Sequence, residues 1–411
     1  MKKIHYGWYI FISTCIFSLV GFGFIVDTIG LFFTPMGAAF HVGRASVSMM
    51  VTIQNFACAI TLLFAGKIMQ KVNIKLLLTT CFLIVGLGFI GCAFATNLTE
   101  YYVIWCLIGI TQPFALTLSI PLLLGNWFQK YLGTVMGIAL GLSAIGGTIF
   151  NPIISSVITN WGWRNGWLVE GLITLIAILP FTIFVIKCEP TNGLKPYGYV
   201  PSSKENKDST VSNGLTLSEA LRTPMFYLIT ISMIVLQWVA GLVQHVSPYV
   251  VSIHQPLTVG ATVVSGIMMG AAVGKITIGW FLDHVENKLV IAGYTIVGIV
   301  GWWMLWLIHI PGVMIAAGFI AGLGQGIMLV SLPYFIRKQF GQKDYSNILS
   351  IISMFGNFAT AIAVSVDGKI FDVTGSYNGP LFTQGILYII GGVAVIMSII
   401  FAAKRIKKAT V

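Results

Sequence analysis

Apolar residues run through this chain in stretches of about twenty or more, each broken by a short polar turn, from one end to the other. Runs of that length suit helices that cross a bilayer, whereas strands of a barrel would alternate over about ten residues. The pattern predicts twelve helices, near residues 8–37, 46–68, 75–96, 101–127, 132–158, 165–187, 224–252, 259–282, 288–309, 312–336, 346–366 and 379–403. One long polar stretch interrupts them, residues 189–215, rich in Pro, Gly, Ser, Asn and Lys, and it divides the helices six and six. Such composition makes a flexible linker. The predicted organisation is an N-terminal six-helix bundle (1–188), a cytoplasmic linker (189–222) and a C-terminal six-helix bundle (223–411). Near the linker's end Thr216 and Glu219 have capping-box spacing, which predicts a short surface helix through Leu221 before Pro224 opens the seventh span.

A repeat supports the division. Ser119-Ile120-Pro121 in helix four recurs as Ser331-Leu332-Pro333 in helix ten, and Phe128 recurs as Phe340 at the same offset. Gly66, Lys71 and Lys75 after helix two return as Gly279, His284 and Lys288 after helix eight. Two repeated halves fit a transporter built about a pseudo-twofold axis.

Composition agrees. With 57% hydrophobic and 9% charged residues over 411 positions, there are too few polar side chains to cover a water-soluble globule, so the expected class is an all-α integral membrane protein. The net charge of +11 suggests nucleic acid until the basic residues are placed. With both termini cytoplasmic, Arg44, Arg164 and Lys369 fall outside and Lys275 within a span, so the other 19 of the 23 lie on inner loops and tails. The set includes Lys2, Lys3, Lys204, Lys207, Lys407 and Lys408. That distribution is positive-inside, which implies a multi-pass plasma-membrane protein, of bacterial type, with no nucleic-acid partner. The opening MKKIHYGWY resembles a signal peptide, but its apolar run continues far past an h-region, so it reads as a retained first helix. Six cysteines show no metal or disulfide spacing and read as packing residues.

The candidate chemistry is sparse. Lys275 lies inside the run 263–282, where insertion of a lysine costs roughly 2.5–3.5 kcal/mol, and a bound anion is the gain that justifies keeping it. Eight residues before Asp283, it stands about 12 Å inward of the cytoplasmic helix end. A structural ion pair with Asp27 is the alternative. Asp27 is expected about 6 Å outward of the middle of helix one, either as the carrier of a coupling proton or as a permanent counter-charge to Lys275. His245 follows Gly241 by four, as Asp27 follows Gly23 by four, and suits a proton relay or a substrate hydrogen bond, with plain packing as the alternative. Gln54, Asn55, Gln112, Asn151, Gln237, Gln244, Gln325 and Asn357 are neutral polar residues in the spans, some expected to line the cavity and others to tie helices together; Asn55, Gln112, Gln244 and Asn357 are the expected cavity members. Gly133, Gly137 and Gly141 form a ridge of small residues on helix five that admits a neighbouring helix. Trp302, Trp303 and Trp306 are expected to face lipid or its interface. No phosphate loop, paired metal ligands or Ser/His/Asp set is present, so neither an enzyme nor a cofactor is expected.

Over nearly its whole length the chain resembles the major facilitator superfamily. The superfamily's loop motif, Gly-x-x-x-Asp-Arg/Lys-x-Gly-Arg-Lys, survives as Gly66, Lys71 and Lys75 in the first half, where Gln70, Asn73 and Ile74 replace the expected acid, glycine and arginine. In the second half it keeps Gly279, Asp283 and Lys288. The resemblance implies that these charges brace the cytoplasmic helix ends, less fully in the first half. Within the superfamily the chain is similar to the monocarboxylate transporter and oxalate/formate antiporter branch, through Tyr6-Gly7-Trp8, Asn126-Trp127-Phe128, Gly162-Trp163-Arg164 and the segment 217–226. That branch places a carboxylate-binding basic residue four positions before the glycine of helix eight, and Lys275 stands four before Gly279. Lysine holds a carboxylate as a point charge, without the planar fork of arginine. Dicarboxylate antiporters of the branch carry a second cation in helix eleven, where this chain has Asn357, so a monoanion is favoured. Animal monocarboxylate transporters carry a lysine in helix one, where this chain has Asp27.

The expected function is therefore secondary transport of a small organic monocarboxylate such as lactate, pyruvate or formate. It would run by alternating access as a proton symporter, with the monomer as functional unit. The rival readings are an organic anion exchanger (antiporter) of the oxalate/formate type, proton-driven efflux of a drug or organic cation, and an anion sensor that moves nothing.

Overall fold

The computed structural model describes residues 5–42, 44–190, 194–199 and 214–409. Among them twelve helices are long and apolar enough to cross a membrane. They are α1 (Gly7–Phe33), α2 (Met49–Lys71), α3 (Ile74–Phe94), α4 (Leu98–Trp127), α5 (Leu132–Trp161) and α6 (Trp163–Phe184). After the linker come α7 (Pro224–Ser252), α8 (Thr262–His284), α9 (Asn287–Leu307), α10 (Pro311–Phe340), α11 (Tyr345–Phe371) and α12 (Asn378–Arg405). The all-α fold with twelve spans is the one the apolar runs predict. Lys2, Lys3, Lys204 and Lys207 lie outside the described residues, as do the side chains of Arg44, Lys407 and Lys408 and linker positions 191–193 and 200–213.

Four spans depart from a regular α-helix, and they are α1, α4, α7 and α10, the opening span of each group of three. In α1 a π-helical stretch occupies Phe17–Asp27, with the Thr28 amide reaching back to Gly23 O at 3.0 Å. In α4 the π segment is Pro113–Thr117 and in α10 it is Ile327–Ser331. α7 carries a 3₁₀ turn at Val243–His245. The repeated Ser-x-Pro explains two of these. Pro121 has no N–H and its ring crowds the carbonyl four residues back, at Thr117; Pro333 does the same to Leu329. Both crowded carbonyls lie in the π segments, which relieve the clash by widening.

The chain forms two compact units, 1–130 with 142–200, and 131–141 with 201–411. In the first, α3 packs along α6, with Gly86 and Gly171 at the crossing, and α2 packs on α4, where Gly109 meets the Gln54 backbone. Its core is aromatic: Phe32 stacks on Trp167 with centroids 3.7 Å apart, and Trp105 is fully buried beside them. In the second unit α8 packs on α10 through Gly270, Gly274 and Gly322, α7 on α11 and α12, and α9 on α10 and α12. Small residues at the crossings are what lipid-embedded helices require, because apolar area alone gives no preference for protein over lipid tails. Trp302 does not face lipid as expected: it is fully buried against Tyr388, while Trp303 and Trp306 are part-exposed.

The linker ends are tied down at repeat-related points. Tyr197 bridges Phe128 at the end of α4, and the Tyr197 amide donates to Trp127 O at 2.8 Å. Gly214 bridges Gly341 beyond the end of α10, and the Leu215 amide donates to Phe340 O at 2.8 Å. The helix Leu217–Ala220 follows with both capping-box hydrogen bonds made. The Thr216 amide and hydroxyl hold the Glu219 carboxyl below its usual range.

Candidate functional site

Lys275 lies nine residues before the end of the helix Leu257–His284, about 13.5 Å along its axis, and is 5% exposed. The backbone turn that carries it is fixed from two sides. A Cβ added to Gly137 of α5 would collide with the Lys275 carbonyl, and one added to Gly274 would collide with the Leu323 backbone of α10. Gly133 and Gly279 face each other with the same reciprocity, and Gly141 faces Ile276. The glycine ridge on α5 is thus the surface on which the lysine-bearing stretch of α8 rests.

Asp283, two turns further along α8, anchors the same contact. Its carboxylate accepts hydrogen bonds from Gly133 N at 2.9 Å and from Thr134 N and Oγ1, both at 2.6 Å. These are the orphan donors at the start of α5, and an acid there also meets the positive end of the helix dipole. The brace expected of the loop motif therefore takes the form of a helix cap. Lys288 pairs at 3.5 Å with Glu286, both side chains well exposed, and such a surface pair contributes little. In the first copy Gly66 is buried, Lys71 and Lys75 are exposed, and Asn73 caps α3 by accepting from Lys75 N at 2.9 Å.

Asp27 belongs to the other unit, at the end of the π segment of α1. Its half-buried carboxyl lies across Gly147 of α5, where an added Cβ would sit 2.7 Å from Oδ2. Gln112 accepts from Gln54 Nε2 at 2.9 Å, so it ties α4 to α2. Asn357 donates to the Ser353 carbonyl of its own helix at 2.9 Å, and Gln237 accepts from Thr360 at 3.0 Å to tie α7 to α11. Asn55 and Gln244 are exposed.

His245 is held by both ring nitrogens: Nε2 lies 2.9 Å from the Val364 carbonyl and Nδ1 lies 3.3 Å from the Tyr377 hydroxyl. Beside it is a carboxyl that sequence reasoning missed, Asp367, 2% exposed. The predicted helix ended at residue 366, which put Asp367 in a loop; the helix in fact runs Tyr345–Thr374. A second missed acid, Glu170 of α6, is fully buried in the first unit with neither carboxyl oxygen hydrogen-bonded. The Thr28 hydroxyl stands beside it but donates to Phe24 O at 3.3 Å. For both residues the available signal was an acid inside or bordering an apolar run.

Three of the four segments that carried the branch resemblance brace the first unit. Tyr6 Oη donates to Val185 O at 2.7 Å, Trp127 Nε1 to Lys187 O at 2.9 Å and Asn126 Nδ2 to Cys188 O at 3.1 Å, joining the end of α6 to α1 and α4. Arg164 Nη1 donates to Ala93 O and Ala95 O at 2.8 and 2.9 Å, closing the end of α3.

Residues 10–268 and 229–410 match the sequence model of the Major Facilitator Superfamily. The MFS-type transporter YcxA of Bacillus subtilis (strain 168) is 21% identical over 184 residues, 44% of this chain and 45% of its own, so the chain spans under half the length of that relative. Human monocarboxylate transporter 12 is 20% identical over 427 residues, covering 98% of this chain and 82% of its own. Among solved structures, the E. coli fucose:proton symporter FucP superposes with a TM-score of 0.72 at 13% identity, covering 94% of this chain and 98% of that one.

Proposed function

The chain belongs to the Major Facilitator Superfamily, and from that premise we propose that it is a proton-coupled secondary transporter of a small organic monocarboxylate, working by alternating access. The observation that carries this reading is the buried ammonium of Lys275, set on a span whose backbone is fixed by glycine contacts on two sides. A cation at that depth in a span attracts an anionic passenger. A carboxylate gives it a charge-assisted hydrogen bond, and short carbon skeletons suit the apolar surroundings. The human relative is named for monocarboxylates, and the E. coli neighbour for a proton symport, which supports the substrate class and the coupling. Lys275 anchors the carboxylate. Gln244 and Asn357, in the same unit, offer amide contacts.

The test is uptake by proteoliposomes. Labelled lactate, pyruvate or formate should accumulate under an inward proton gradient. Lys275→Gln should weaken carboxylate binding by about tenfold or more, the equivalent of about 1.4 kcal/mol, while Lys275→Arg retains it. Unchanged affinity in the glutamine variant would remove the assignment of Lys275. Expulsion of a lipophilic cation with no monocarboxylate uptake would replace the proposal by efflux.

A further inference from the structure

Where α7 meets α11, two titratable side chains share one buried nest. Asp367 is almost wholly enclosed, the indole of Trp238 stands beside its carboxyl, and one oxygen, Oδ2, has no hydrogen-bond partner. His245 approaches the same carboxyl from α7, its ring lying over Gly368, where a Cβ would approach Cε1 at 3.4 Å. The Tyr377 hydroxyl, in the turn before α12, faces His245, and Trp238 from α7 stands beside Asp367. Lys369, two residues on, is exposed. Tyr249 lies edge-on to Tyr377 and spends its hydroxyl on Leu305 O at 2.8 Å.

The hydrogen bonds of His245 are compatible with either charge state. Val364 O only accepts, so Nε2 carries a proton at all times. Nδ1 faces a hydroxyl, which donates to a neutral ring and accepts from a charged one by rotating about its C–O bond. Asp367 has the complementary property, an oxygen with no present bond and therefore room for a proton. An ionised carboxylate and an imidazolium side by side form a neutral pair. Moving one proton from imidazolium to carboxylate leaves both neutral, so the pair that holds one proton carries no net charge in either arrangement; releasing that proton leaves a carboxylate beside a neutral imidazole, and rebinding it restores neutrality.

We infer that Asp367 and His245 form the proton-binding centre of this protein, with Trp238 and Tyr377 as positioning residues. The inference deepens the proton-coupled reading above and rests on it for its role in transport, though not for the binding of the proton itself.

Infrared difference spectra of the purified full-length chain, recorded between about pH 5 and 8 without substrate, test proton binding directly. A carboxylic-acid C=O band should titrate there, vanish in Asp367→Asn and shift its midpoint in His245→Gln. A titrating band that survives in Asp367→Asn overturns the inference. In vesicles, one proton per monoanion supports about tenfold accumulation per pH unit of gradient. Asp367→Asn should abolish that accumulation of labelled lactate while lactate/lactate counterflow continues. Gradient-driven accumulation persisting in Asp367→Asn sinks the inference and leaves the monocarboxylate reading standing. Absence of counterflow in the unaltered chain, with the spectra as expected, sinks that reading alone. If Asp367→Asn is not recovered folded, Trp238→Phe keeps both titrating groups, and an unmoved midpoint there overturns the inference.

Discussion

Gly137 shows how much one missing side chain decides. In a solvated helix, replacing glycine by alanine gains up to about 1 kcal/mol. At Gly137 the new Cβ would collide with the Lys275 carbonyl and come within 3.0 Å of the Gly279 Cα, so the sign should reverse, with a loss of about 1–3 kcal/mol. Gly293 is the control, because a Cβ there meets nothing within 4 Å. Melting temperatures of the purified variants should fall for Gly137→Ala and hold or rise for Gly293→Ala; equal behaviour would mean that α5 and α8 are not in close contact. Asp283→Ala removes three hydrogen bonds from the start of α5 and should cost about 1–2 kcal/mol, read as the same shift in melting. Both residues were visible in the sequence, Gly137 as part of a small-residue ridge and Asp283 as part of a loop motif. That they serve a single helix contact was not, because the ridge and the motif lie far apart along the chain.

Spans α1, α4, α7 and α10 put their irregular turns where a straight helix would leave every backbone group paired, so the departures must be built in by sequence. Pro121 and Pro333 are the builders in α4 and α10. Pro121→Ala restores an N–H and removes the clash with Thr117, which should let Pro113–Thr117 tighten towards an α-helix. The variant should keep or raise its melting temperature, while lactate uptake falls if the widened turn is needed for movement. Undiminished uptake would assign the irregular turn to packing. The repeat of Ser-x-Pro announced a shared feature in these two spans, but not its kind, since proline inside a helix gives a kink, a break or a π turn according to what surrounds it. Asp367 was lost at this scale: a helix end misplaced by a few residues turned a buried acid into a loop residue.

The two units follow from different kinds of information. Twelve crossing segments and their repeat were written in the length and spacing of apolar runs, because a bilayer demands about twenty apolar residues per helix wherever the helix packs. The buried lysine at position 275 was legible for the same reason, a charge in a run that otherwise has none. What each span touches was not legible. In water a helix shows its buried face by an apolar stripe, but in lipid both the core face and the outer face are apolar, so rotation about the axis leaves little trace in the pattern. Hence Trp302 went to the wrong side, and His245 was singled out without the acid beside it. The sequence by itself determined a twelve-span chain with a cation in its eighth span. Tertiary structure alone decided that His245 and Asp367 share one nest, because that meeting depends on how α7 and α11 turn against each other.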